Sequence, residues 1–289
     1  MKHLTLTTKA ILGAILYLSS VNLPAQESFI SPKLVKVWTM AEGLNVPESS
    51  CFNNADQTIY VSNIVGMHNV KDGVGYISKL NRNGEMIEKE WVKGLNAPKG
   101  IACTKKDLFV TDIDLLIKID LKSGRIEKTY SNHKSKSLND VTVARDGRVF
   151  VSDSGGNCIF FVGNDSLEVF LESDQLDRMN GILAKGNLLY LGSKGNFIAV
   201  DQRTKSISVL VQNTGYLDGI VMTGKNKFIT SDFKGKVQLI EPGKGIEILM
   251  NTTDQNINAA DLGYIPSQKL LLVPTFLDSK VGAFRLKHE

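Results

Sequence analysis

Cysteine is scarce in this 289-residue chain. There are three, Cys51, Cys103 and Cys158, with no C-x-x-C pair, which points to neither a disulfide framework nor a thiolate zinc site. They read as three buried small hydrophobes, a bridge between Cys51 and Cys103 being conceivable but not favoured. Seven prolines and 25 glycines are too few for collagen or for Pro/Gly-rich disorder. An excess of one charge is also missing: 34 basic residues against 30 acidic give +4, which leaves no footprint for a nucleic-acid partner. No apolar run reaches the roughly 20 residues of a comfortable membrane-spanning helix, and no long stretch repeats its apolar residues at the helical period. What is present, 42% hydrophobic and 22% charged residues, suits a folded chain long enough to bury a core without staples.

At the N-terminus, Lys2, His3 and Lys9 precede a mainly apolar stretch over residues 10–21, and Asn22-Leu23-Pro24-Ala25 ends in a small residue. Residues 1–25 therefore read as a secretory signal peptide cleaved near Ala25, with an uncleaved anchor as the alternative. A lipid anchor would need a cysteine at the cleavage site, and the first is Cys51. Residues 26–289 are expected to form one domain, secreted or periplasmic, without stable membrane insertion once the signal is removed.

One pattern recurs along that domain: a polar residue, an apolar segment, a turn, then a short β-branched strand ending in Ser, Thr or Asp. The six copies are PESSCFNNADQTIYVSN from Pro47, PKGIACTKKDLFVTD from Pro98, LNDVTVARDGRVFVSD from Leu138, MNGILAKGNLLYLGS from Met179, LDGIVMTGKNKFITSD from Leu217 and ADLGYIPSQKLLLVPT from Ala260. The second residue of each copy, here called its anchor, is Glu48, Lys99, Asn139, Asn180, Asp218 or Asp261; successive anchors are 51, 40, 41, 38 and 43 residues apart. That period fits four-stranded propeller blades. Asn83-Gly84, Asp146-Gly147 and Ser123-Gly124 supply turns between further strands. The expected fold is all-β, a six-bladed β-propeller. After the last anchor only three strands remain, so residues 33–40 are expected to complete the last blade and close the ring. Cys51 and Cys103 occupy nearly equivalent positions in their copies.

In a propeller the first strand of each blade is innermost, so equivalent residues at its start converge on the central channel. All six anchors are polar. Glu48, Asn139, Asn180 and Asp218 present two carboxylates and two amide carbonyls, hard oxygen donors that suit Ca²⁺ best, with Mg²⁺ or Mn²⁺ as alternatives. Two negative charges would balance a divalent cation; without one, a buried Glu and Asp facing each other should retain a proton. Taken singly, Asn-Asp and Asn-Gly pairs also favour turns.

The Pro-Glu-Ser of blade one, the Leu-Asn-Asp…Asp-Gly-Arg-Val-Phe-Val-Ser-Asp of blade three, the Asn-Gly of blade four and the Asp-Gly of blade five resemble the motifs of the senescence marker protein/gluconolactonase family, over residues 45–286. The resemblance implies a six-bladed propeller with one divalent metal in its channel, Ca²⁺, Mg²⁺, Mn²⁺ or Zn²⁺, that hydrolyses lactones; the calcium-dependent paraoxonase lactonases are similar in architecture. It implies Glu48, Asn139, Asn180 and Asp218 as the metal set. Members often place an Arg that contacts a sugar-derived substrate where this chain has Ser137, so a polyol substrate is not implied.

The expected activity is hydrolysis of a lactone or related small-molecule ester, the alternative being a non-catalytic ligand-binding propeller. A metal at the ring would supply Lewis acidity toward the carbonyl, and the attacking water's proton needs a base. Asp218 is the first candidate and His68 the second. His68 lies in the long segment 64–75, which explains the wide first spacing and should project from the anchor face; histidine titrates in the useful range. Lys99 and Asp261 are candidate substrate contacts, Lys99 as a point charge. The near match of residues 219–226 to a phosphate-binding loop is set aside, because Asn226 replaces the metal-binding hydroxyl and no helix follows. A G-x-S-x-G elbow and an H-E-x-x-H signature are both absent.

Overall fold

The computed structural model describes residues 29–287; the expected signal peptide lies outside the described residues. Among these, no helix is long and apolar enough to cross a membrane. The chain forms six antiparallel sheets, each a meander of neighbouring strands, arranged as a six-bladed β-propeller. The inner strands are Pro47–Asn53, Pro98–Cys103, Leu138–Val143, Ile182–Lys185, Leu217–Gly224 and Gly263–Ile265, so each repeat copy opens a blade.

The ring closes as its sequence requires. Leu34–Met40 pairs antiparallel with Val281–Leu286, Leu34 opposite Leu286 and Met40 opposite Val281, and becomes the outer strand of blade six. A feature not foreseen is the short strand Phe29–Ile30, which adds a fifth strand to blade five by pairing with Gly245–Asn251. The first described residues thus cross the seam between blades five and six.

Second strands such as Thr58–Asn63 are buried throughout, because a blade is covered on both faces by its neighbours. The core is accordingly divided into six apolar clusters, one at each blade interface. Phe150, Ile159 and Phe170 of blade three pack against Leu189, Leu191 and Ile198 of blade four, and Leu270, Leu272 and Val281 of blade six meet Ile59, Val61 and Leu80 of blade one. Burial of this apolar surface is the main force holding the blades together.

The cysteine reading needs correction. Cys51 and Cys103 form a disulfide, with Cα atoms 6.3 Å apart. Nearly equivalent positions on adjacent inner strands lie close together, so the geometry of the ring, rather than the odd count of cysteines, decides the pairing. Cys158 alone is the free, buried thiol, and burial pushes its pKa up to about 12.

Candidate functional site

The anchors are aimed by a repeated irregularity. In blades one, two, three and five the pairing of the first two strands slips at the anchor, between Pro47 and Ser50, Pro98 and Ile101, Leu138 and Val141, and Leu217 and Ile220. A bulge turns the side chain away from the ladder and leaves a backbone N–H without a strand partner. In blades one, three and five a serine hydroxyl near the end of the second strand accepts it. Ser62 Oγ takes the N–H of Ser49 at 3.0 Å, Ser152 Oγ that of Asp140 at 3.0 Å and Ser231 Oγ that of Gly219 at 2.7 Å. The next residue holds the loop arriving at the inner strand: Asp112 accepts from Asn96 N and Ala97 N, and Asp153 from Lys136 N and Ser137 N, all at 2.7–2.9 Å. The serine near the end of these copies therefore serves the bulge, and the Asp after the hydroxyl in blades two and three serves the incoming loop.

Neighbouring inner strands are tied laterally around the ring. Ile101 N donates to Ser49 Oγ at 3.3 Å, Thr111 Oγ1 to Asn139 O at 2.5 Å, Ile182 N to Asp140 Oδ2 at 2.9 Å, Ser231 Oγ to Ala260 O at 2.7 Å and Asp261 N to Glu48 O at 2.9 Å. Between blades four and five the link is Asn180 Nδ2 donating to Asp218 Oδ1 at 2.8 Å. Two glycines allow this close approach: a Cβ on Gly181 would strike Asp218 O, and one on Gly219 would strike Leu262 N.

Glu48, Asp218 and Asp261 are buried at the ring with Asp140, and Asn139 and Asn180 are half-buried. Lys99, only 6% exposed, lies close enough to Glu48 to favour its charge, although burial still lowers the lysine's pKa. Burial, then Asp218 and Asp261, hold the Glu48 carboxyl well above the usual range. Asp218 is pushed up to about 8 by burial and by Asp261, against the Asn180 amide, and Asp261 to about 7 by burial, against the Ser49 hydroxyl that donates to its Oδ2. Four carboxylates share this space with one ammonium, a deficit of positive charge.

Among the described residues, and Ser50 Oγ aside, three buried oxygens at the ring have no hydrogen-bond partner: Glu48 Oε2, Asn139 Oδ1 and Asn180 Oδ1. Unpartnered buried acceptors are rare and costly. These belong to three of the four residues expected to hold a cation, and the fourth, Asp218, is bonded to Asn180. Hard oxygen atoms lacking donors, in an acidic setting, fit a divalent cation.

The segment 64–75 does lie on the anchor face, fastened by Lys71 Nζ to Asp114 Oδ2 at 2.7 Å and by Gly73 N to Asn96 Oδ1 at 3.2 Å. His68 itself is exposed, and none of the hydrogen bonds among the described residues joins its imidazole to the ring. Asp140 is the residue that sequence reasoning passed over. Its carboxylate accepts from Val141 N at 2.7 Å and from Ile182 N; the available signal was an acid directly after the blade-three anchor, where blades two, four and five carry Gly. Asp140 and Asp261 also line a cavity of about 330 Å³ with Ser50, Thr142 and Tyr264, which runs from the anchor level farther along the inner strands.

No protein-family model matches the chain, and no curated protein matches it by sequence. Solved structures share its fold. A streptogramin B lyase superposes with a TM-score of 0.60 at 14% identity, over 88% of this chain and 97% of that one. A catalytically inactive variant of virginiamycin B lyase from Staphylococcus aureus, solved with quinupristin, gives 0.60 at 13% identity over 88% and 99%. At such identities the likeness establishes the propeller and nothing of the chemistry.

Proposed function

We propose that this chain is an exported, divalent-metal-dependent hydrolase of a lactone or related ester, of the senescence marker protein/gluconolactonase kind. The observation that carries the reading is the set of three buried, unpartnered oxygens on Glu48, Asn139 and Asn180 beside Asp218. These four residues would hold the cation, Ca²⁺ first among candidates for an all-oxygen set. When bound, a divalent cation supplies Lewis acidity toward a carbonyl oxygen. The chain's own contribution is positioning and proton transfer. Asp218 Oδ2, the carboxylate oxygen not held by Asn180, receives the proton of the attacking water. Asn180 Nδ2 fixes the other oxygen, Oδ1, and so sets the direction of the base. Lys99, the one ammonium beside Glu48, favours negative charge developing on the substrate. Export is supported by the Cys51–Cys103 bridge, since disulfides persist in oxidising compartments.

The test combines calorimetric titration of the chelator-treated protein with Ca²⁺, Mg²⁺, Mn²⁺ and Zn²⁺ and a panel of lactones assayed with each. Stoichiometric binding and metal-dependent turnover are expected. Metal binding without turnover of any lactone points to a ligand-binding propeller, and absence of binding removes the site. The lyases of like fold introduce a second reaction, elimination. Mass spectrometry separates the two, because hydrolysis adds one water to the substrate and elimination adds none.

A further inference from the structure

The mouth of the channel on the anchor face is built asymmetrically. Among the described residues sixteen large apolar side chains are exposed, and ten lie on outer strands of blades. The other six, Met67, Val70, Val74, Tyr216, Phe233 and Leu277, all stand in loops of the anchor face. They come from three consecutive blades: residues 64–75 of blade one, the loops flanking the first two strands of blade five, and the turn after Leu270–Pro274 in blade six. The turns of the opposite face expose no large apolar side chain among the described residues.

Contacts tie together the loops that carry the six. Phe233 meets Phe276 edge to face with centroids 5.2 Å apart, Asn258 Nδ2 donates to Phe233 O at 2.9 Å, and Val46 N donates to Ser279 Oγ at 3.2 Å, linking blade six to blade one. The inner strands beneath the arc carry Asp218, Asp261 and Glu48. Over blades three and four the loops expose Lys134, paired with Glu172 at 3.1 Å, and Arg178, paired with Asp177 at 3.5 Å and lying over the Tyr216 ring at 4.9 Å, where the charged rim meets the arc. Exposed apolar area costs solvation free energy, and here it is gathered on one side of one opening rather than scattered.

We infer that the ester bound at the ring carries an alkyl or aryl substituent, which lies against the arc formed by blades five, six and one while the carbonyl sits below at Glu48, Asn139, Asn180 and Asp218. This rests on the reading of the ring as the place where the ester binds. Leu277, 67% exposed, and Met67, 62% exposed, gain most from being covered. Each methylene that leaves water against such a surface contributes roughly two- to fourfold to affinity.

The experiment uses the metal-loaded protein and a series of γ-lactams, which keep the ring and carbonyl of the lactone but resist hydrolysis, with alkyl side chains of increasing length. Calorimetric affinity should climb about two- to fourfold per methylene, and the climb should flatten in Leu277→Ser with Met67→Ser. The outer-strand control Ile87→Ser should keep the wild-type slope. Affinity independent of chain length overturns the inference, as does an equal slope in all variants. Tight association with phosphatidylcholine vesicles abolished by the same double variant, with no chain-length slope, would assign the arc to a membrane surface. A concentration-dependent dimer lost in that variant, again with no slope, would assign it to a second copy. Because lactam binding needs no turnover, failure of the hydrolase reading shows separately, as absent lactone cleavage with the slope intact.

Discussion

Asn180 divides its amide between two tasks: the nitrogen donates to Asp218, while the oxygen is buried and unpartnered. Asn180→Asp would keep the oxygen, lose the donor and add a charge beside Asp218; Asn180→Ala would lose both atoms. Asp218→Asn keeps the shape and removes the charge. Loss of several kcal/mol of charge stabilisation corresponds to a fall in metal-dependent kcat/KM of about 10²-fold or more, and Asp218→Asn is expected to show it while melting near the wild-type temperature. Retained activity would remove Asp218 from the chemistry. A second expectation concerns pH. Asp218 at about 8 and Asp261 at about 7 bind protons in the folded chain that the unfolded chain releases near pH 4. Their contribution is therefore complete below about pH 4 and is lost as pH rises through 7 and 8. In chelator, the melting temperature should fall between pH 5 and pH 8.5, and millimolar Ca²⁺ should reduce that fall; a flat profile in chelator would contradict the buried acidic cluster.

Among the elements, the bulge with its hydroxyl recurs from blade to blade. Ser152→Ala leaves the buried N–H of Asp140 without an acceptor, and Ser231→Ala does the same at Gly219. Each should cost about 1–3 kcal/mol, measured by urea unfolding, and each should weaken metal binding by loosening the strand that carries the anchor. An unchanged unfolding midpoint would show that another group serves the N–H. This device was visible in the sequence as the recurring Ser-Asp ending, but only as a marker of strand ends. Its purpose depends on a slip in pairing that no spacing reveals. Anchor positions were legible because the repeat counts them. Asp140 was not, since an Asn-Asp pair is equally good turn chemistry, and its bonds run to another blade.

For the whole molecule, periodicity was enough to give the ring, its six blades and its closing strand. The added strand at Phe29–Ile30 escaped because two residues carry no period. The disulfide escaped for another reason: composition treats cysteines as a number, whereas the ring treats Cys51 and Cys103 as neighbours. Their bridge spans 52 residues, which the chain-entropy model values at about 4 kcal/mol at 25 °C. The double variant Cys51→Ser, Cys103→Ser, or the wild type under dithiothreitol, should unfold at distinctly lower urea concentration than the oxidised protein; coincident transitions would show that the bridge contributes little.

Leu34 opposite Leu286 has a temporal meaning. A ribosome makes the closing strand before any blade exists and its partner after all the others, so five blades must assemble around a gap. Bringing such distant segments together is entropically slow, and until it happens blade six presents a bare edge that other chains can pair with. Variants that weaken the pairing of Leu34–Met40 should therefore lose refolding yield to aggregation before they lose anything in the finished ring.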